Sequence, residues 1–215
     1  MKTNEERLNA LMDYVDSLSR IHPSDIPNIN LYMDQVTTFM DTHLASSRWI
    51  GEDRVLTKTM INNYAKNNLL PPPVKKKYSR NHILLLAFIY YFKNVLSFRD
   101  IEEILSPITE RHFSDGSVPE LSEIYSEVFS LEREQRERLK EDVQVKFEAA
   151  MKTFSDERFP LCGSEEGSDR QFLQLFSFIC ELAFDVYLKK QMIELIAEQL
   201  RQENPPEGKK KKDRN

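Results

Sequence analysis

Five glycines in 215 residues constrain this chain more than any other feature of its sequence. Tight hairpin turns and phosphate-cradling loops both draw on Gly, so a β-rich or doubly wound α/β protein uses it freely. A chain this poor in Gly, with 40% apolar and 30% charged residues, is expected to be mainly α and able to bury a core. Its length suits one domain of ordinary size or two small ones. Two cysteines, Cys162 and Cys180, fit a reducing cytoplasm and not a disulfide framework. The first twenty residues are charged and helix-patterned, unlike a leader peptide. The longest unbroken apolar run, Ile83–Phe92, falls far short of the ~20 residues a membrane-spanning helix needs. A cytoplasmic chain that engages no membrane is therefore expected.

Helical spacing and capping patterns divide the chain. Thr3-x-x-Glu6 is a capping-box pattern, followed at helical spacing by Leu8, Leu11, Met12, Val15 and Leu18. His22-Pro23 and Ile26-Pro27 end that helix. A second helix is expected from about Leu31 to Leu44, then a polar loop, Ser46–Asp53, carrying Trp49. Thr57 can cap a third, short helix ending near Asn68, where Leu69-Leu70-Pro71-Pro72-Pro73 stops it. Val74–Tyr78 reads as extended. Ser79 can cap a fourth helix to about Asn94, and Ser97-x-x-Asp100 a fifth to about Leu105.

Charge is distributed very unevenly. The formal net charge is −5, which by itself argues against a polyanionic partner. Yet residues 54–99 contain no carboxylate and nine bases: Arg54, Lys58, Lys66, Lys75, Lys76, Lys77, Arg80, Lys93 and Arg99. An acid-free stretch of this length inside an acidic chain marks a face suited to an anion. A helical wheel of the third helix puts Met60, Ile61 and Tyr64 on one side, and Lys58, Thr59, Asn62, Asn63 and Lys66 on the other. Asn can pair bidentately with adenine in a major groove, and Lys can meet guanine or phosphate. Lys75-Lys76-Lys77 follows one short loop later, suited to phosphate contacts. A reading helix with a basic wing fits a winged helix-turn-helix module.

These residues also carry a resemblance. Met60-Ile61-Asn62-Asn63-Tyr64-x4-Leu69-Leu70-Pro71-Pro72, then Lys77-Tyr78-Ser79-x2-His82-Ile83, then Leu96-Ser97-Phe98-x2-Ile101-x2-Ile104-Leu105 resembles the MerR-like winged-helix domain over residues 31–105. The chain as a whole is similar to a family of uncharacterised proteins of Gram-positive bacteria that carries a domain of unknown function. Met33-Asp34-Gln35-Val36 and Leu69-Leu70-Pro71-Pro72-Pro73-x-Lys75-Lys76-Lys77-Tyr78 are its hallmark runs. The MerR resemblance implies a DNA-binding domain in which Tyr64 packs or meets phosphate, Lys77 meets phosphate from the wing, and Tyr78 anchors the wing. The chain departs from that pattern: Asn62 and Asn63 replace an arginine, Ala65 replaces an acid, the wing is shorter, and the Ala45–Leu56 link is longer.

The C-terminal half shows no catalytic pattern. From Pro119 to Phe154, apolar residues keep a helical stripe, interrupted by the polar run Glu132–Arg138. Two readings fit equally: one long helix that pairs with a two-fold mate, or two helices broken near Ser130 in a monomeric bundle. Ser168-x-x-Gln171 can cap a last long helix. Between Phe172 and Leu188 its strongly polar residues, Gln174, Ser177, Glu181 and Asp185, share one narrow stripe, so most of its circumference is expected to be buried, in a bundle or across a dimer interface. The tail 204–215, with Lys209–Lys212, is expected to be disordered. His22, His43, His82 and His112 lie without a nucleophile or metal-ligand partner at a telling spacing, so neither catalysis nor a metal or cofactor is expected.

The expected organisation is an N-terminal helix and linker (1–29), a MerR-like winged-helix DNA-binding domain with a short basic wing (30–106), a C-terminal helical bundle or dimerisation region (107–203) and the tail. The expected function is that of a sequence-specific transcriptional regulator, homodimeric through its C-terminal helices. Its DNA-contacting residues would be Lys58, Thr59, Asn62, Asn63, Tyr64, Lys66, Lys75, Lys76, Lys77, Tyr78 and Arg80. The competing expectation is a non-catalytic interaction module that presents the same basic face to an acidic protein.

Overall fold

A computed structural model describes residues 2–47, 54–155, 159 and 166–203. The described chain is mainly helical: α1 (Asn4–Ser17), α2 (Met33–His43), α3 (Lys58–Lys66), α4 (Arg80–Phe92), α5 (Phe98–His112), α6 (Leu121–Met151) and α7 (Glu166–Glu203). One small antiparallel sheet pairs β1 (Leu31–Tyr32) with β2 (Lys77–Tyr78), in the register Leu31 to Tyr78 and Tyr32 to Lys77. Trp49, Cys162 and the tail lie outside the described residues.

Two compact units are present. The larger holds residues 19–129 with 190–203, and the smaller holds 2–18 with 130–189. α1 joins residues far along the chain in the smaller unit, and the first turns of α6 belong with the larger one.

The larger unit is built on α4. Its residues His82–Tyr90 are all buried, because this helix is apolar around its whole circumference and is covered on every side. The core gathers residues of α2, α3, α4, α5 and the start of α6 into one cluster. The Tyr125 ring meets Phe88 edge-on with centroids 5.3 Å apart, and its hydroxyl donates to the Ile21 carbonyl at 2.9 Å. From α7, Arg201 bridges Asp100 (3.2 Å) and Glu103 (3.0 Å) on α5.

The smaller unit packs α1, the rest of α6 and the first part of α7 around a core of four buried side chains, Leu8, Phe147, Ala150 and Phe178. The Phe147 and Phe178 rings meet perpendicularly at 5.4 Å. Polar contacts supply much of the remaining join. Gln174 donates to the Met151 carbonyl at 2.7 Å, Thr153 to Ser177 Oγ at 3.2 Å, and Lys146 meets Asp185 at 3.4 Å.

Several caps form as their residues suggest. Thr3 and Glu6 make the full capping box of α1, and Ser97 Oγ accepts from the Asp100 amide. Elsewhere the structure differs. Leu31 and Tyr32 form β1 in place of the first turn of α2, because β2 offers them ladder partners. Val74–Tyr78 is a hairpin turn and strand, not a plain extended run. The fifth helix continues past Leu105 to His112 with Pro107 inside it. α6 runs unbroken through Ser130, the continuous one of the two readings, and its 31 residues span about 46 Å. Ser168 sits inside α7, not at its cap.

The largest correction concerns α7. Its polar stripe faces α6, while Phe172, Phe176, Ile179, Phe184, Tyr187 and Leu188 are each more than half exposed. The expectation of burial does not hold within the single chain. By length and composition alone, residues 169–203 of α7 would also suffice to cross a membrane, although polar residues interrupt their apolar ones.

Candidate nucleic-acid interface

α3 starts where Thr57, in extended conformation, accepts the Met60 amide on its Oγ1 at 3.2 Å. A side-chain acceptor there satisfies one of the free amides of the first turn. Ile61 and Tyr64 are buried, as the wheel requires, and Lys58, Thr59, Asn62, Asn63 and Lys66 are exposed. The Tyr64 ring lies 6.3 Å from that of Phe98, so the end of α3 adjoins the start of α5. Tyr64 thus has a packing role. The helix ends with Asn68 in the left-handed region (φ 60°), and the Leu69 and Leu70 amides both return to the Tyr64 carbonyl, at 2.9 and 3.1 Å. Asn is the residue after Gly that best tolerates this conformation. Leu69 and Leu70 then enter the core and the three prolines lead away.

The basic run is a two-residue hairpin. Val74 and Lys77 exchange both backbone hydrogen bonds, at 3.0 and 3.1 Å, leaving Lys75 and Lys76 as the two turn residues. Both have positive φ, 50° and 64°. Two successive left-handed residues define the type I′ turn, which normally takes Asn-Gly because a Cβ is disfavoured there by about 1–2 kcal/mol per residue. Two exposed lysines at these positions put charge where turn chemistry alone would put small residues. β2 fastens this tip to the unit. Tyr78 is buried against the His82 ring edge, 5.4 Å between centroids, and burial raises its phenol pKa. The Lys77 ammonium lies 5.1 Å from the centroid of the Tyr32 ring across the strand pair.

His82, buried in the first turn of α4, ties the hairpin to the end of α3. The Ser79 amide donates to its Nδ1 at 2.9 Å, and Nε2 lies 3.2 Å from the Pro71 carbonyl. These partners assign the proton to Nε2. Burial holds its pKa below the ordinary 6.5, against the carbonyls of Pro71 and Pro72, which raise it.

Three-dimensional neighbours change the charge picture. Lys58 is ion-paired with Asp34 in the first turn of α2, and Arg54 reaches Asp41 at 3.8 Å. Arg80 donates to the Pro23 carbonyl at 2.9 Å, with its Nε buried, so it braces a loop. Among the described residues, Lys66, Lys75, Lys76 and Arg99 make no ion pair, and the amides of Asn62 and Asn63 make no hydrogen bond within the chain. Contacts of Lys77 with Tyr32 and of Lys58 with Asp34 link the hairpin, through the start of α2, to the first turn of α3. Of the residues expected at this face, Thr59, Asn62, Asn63, Lys66, Lys75 and Lys76 are exposed and available, Lys77 is half-buried on Tyr32, and Tyr64, Tyr78 and Arg80 hold the framework. Arg99 was missed. It belongs to the acid-free stretch and follows Phe98, the ring against which Tyr64 packs.

No group of His, Cys, Asp and Glu among the described residues is arranged to hold a metal ion. The arrangement presents cations, amides and a hydroxyl on a carboxylate-poor face, a chemistry suited to an anionic polymer.

A mainly helical unit with a lysine-tipped hairpin is thus the class the geometry defines. The chain belongs to the family described as a domain of unknown function (DUF1836), whose model matches residues 21–128, nearly the whole of the larger unit up to the start of α6. No curated protein matches the chain, and no solved structure does.

Proposed function

We propose that this protein is a sequence-specific DNA-binding transcriptional regulator of the MerR-like winged-helix kind, working in the cytoplasm as a homodimer held by its C-terminal helices. α3 enters the major groove, with Asn62 and Asn63 toward base edges and Thr59 and Lys66 beside them. Lys75 and Lys76 meet backbone phosphates from the hairpin tip, and Arg99 adds a contact from α5. The order β1, α2, α3, hairpin, α4, α5 supports the winged-helix reading. The observation that carries it is the hairpin itself: two adjacent lysines held left-handed and unpaired, beside a helix face free of carboxylates.

The test is a salt titration of DNA binding by the full chain and by a Lys75/Lys76/Lys77→Ala variant. Binding that weakens steeply with salt, and a shallower slope for the variant, are expected, because each lost phosphate contact removes about 0.9 from the slope. Unchanged affinity of the variant at moderate salt would contradict the reading and turn attention to an acidic protein partner for the same face.

A further inference from the structure

In the smaller unit α7 buries one apolar side, Phe178 with Leu175 and Leu182 packed beside it, and leaves a second apolar side exposed. Gln174 and Asp185 contact α6, and Ser177 accepts from Thr153 just after it. At 100° per residue, Phe172, Phe176, Ile179, Ala183, Val186 and Tyr187 fall within an arc of about 100°, and all are exposed. The first five follow a 4-3-4-3 spacing, the seam of a coiled coil. Phe184 flanks them. The six large side chains on this side, each about half to two-thirds exposed, present roughly 750 Å², near the roughly 800 Å² per partner of a standard interface. The same unit buries four side chains in its own core. An apolar surface of this size is rare on a monomer.

We infer that this face is the homodimer interface, and that a second copy of α7 covers it in antiparallel orientation. The helix is self-complementary in that direction. Crossing two copies between residues 179 and 180 sets Phe172 opposite Tyr187, Phe176 opposite the small Ala183, and Ile179 opposite Cys180. It also brings Asp169, at one end of the stripe, near Lys190 of the second copy, which in its own chain lies 3.6 Å from Glu194. A parallel pairing would instead put Asp169 against Asp169 and Phe176 against Phe176. A lipid surface would satisfy the apolar side but makes no use of the matched ends. The proposal deepens the homodimer named above and does not depend on what the basic face binds.

The experiment uses the full chain. Light scattering across micromolar concentrations should show a dimer, and Phe176→Glu or Tyr187→Lys should weaken dimerisation at least 100-fold with unchanged helical circular dichroism, since each buries an unpaired charge. Orientation is read in a Cys162→Ser/Cys180→Ser background: chains carrying Phe172→Cys and chains carrying Tyr187→Cys should cross-link to one another when mixed, and neither to itself. A monomeric wild type, a dimer that both charged variants retain, self-linking of each cysteine variant, or a monomer that sediments with zwitterionic lipid vesicles would each overturn the proposal. Loss of DNA binding by the hairpin variant is a separate readout, so either result can fail alone.

Discussion

The larger unit closes its own core and the smaller does not. Among the described residues, the first gathers twenty-seven buried side chains around α4. The second buries four and leaves a row of aromatic and aliphatic side chains of α7 in water. The contrast separates two uses of apolar residues. In α4 every direction is covered by the chain itself, so the helix holds the unit together. In α7 the chain covers Phe178 and the polar side chains beside it and leaves a second apolar side exposed.

The largest expected effect comes from breaking the self-sufficient side of that contrast. Leu85 is fully buried, and Leu85→Ala should destabilise the larger unit by about 2–5 kcal/mol, read from urea denaturation. The loss should be the same at any protein concentration. The smaller unit should behave otherwise. Phe178→Ala removes half of its Phe147–Phe178 pair, and the amide protection of α7 between 172 and 188 should rise with protein concentration, because association supplies the missing cover. Hydrogen exchange at two concentrations measures this directly, and concentration-independent protection would remove the contrast.

A smaller effect separates turn chemistry from charge at the hairpin. Lys75→Asn with Lys76→Gly gives the turn the residues its backbone prefers, and should raise stability by up to about 1 kcal/mol in thermal melts. The same change should reduce DNA affinity and take about two contacts off the salt slope. A variant that gains stability and keeps its affinity would show the lysines to be turn residues only.

How much of this can be read from the residues depends on how local the cause is. The Thr3–Glu6 box, the Thr57 cap and the two faces of α3 are set by residues within a turn or two, and all three appear as the spacing implies. The partners of Lys58 and Arg80 are not local. Arg80 bonds a carbonyl 57 positions away, and Lys58 finds its acid in a preceding helix, so a segment without carboxylates overstates the charge available at the surface. The left-handed lysines break the usual turn preference, so residue type points away from the hairpin they form. For α7, periodicity reports that one side is apolar but not which side the chain covers. Only the distribution of partners, with Gln174 and Asp185 on α6, decides it.

The smallest effect concerns acid. Burial holds His82 neutral, below its ordinary pKa near 6.5. The unfolded chain therefore binds the extra proton first as pH falls, and the contribution of His82 is complete above about 6.5 and is lost as pH drops toward its folded value. Thermal melts from pH 7 to pH 5 should show the larger unit losing stability, and His82→Gln should flatten that slope. An unchanged slope would separate His82 from the acid sensitivity.

The central claim is that the carboxylate-poor face reads DNA sequence. Selection of bound fragments from sheared genomic DNA by the full chain at moderate salt, followed by sequencing, tests it most directly. The account predicts an enriched site that Asn62→Ala with Asn63→Ala abolishes while general DNA affinity persists. Recovery of fragments without any shared site, or an enriched site indifferent to those two residues, would contradict it.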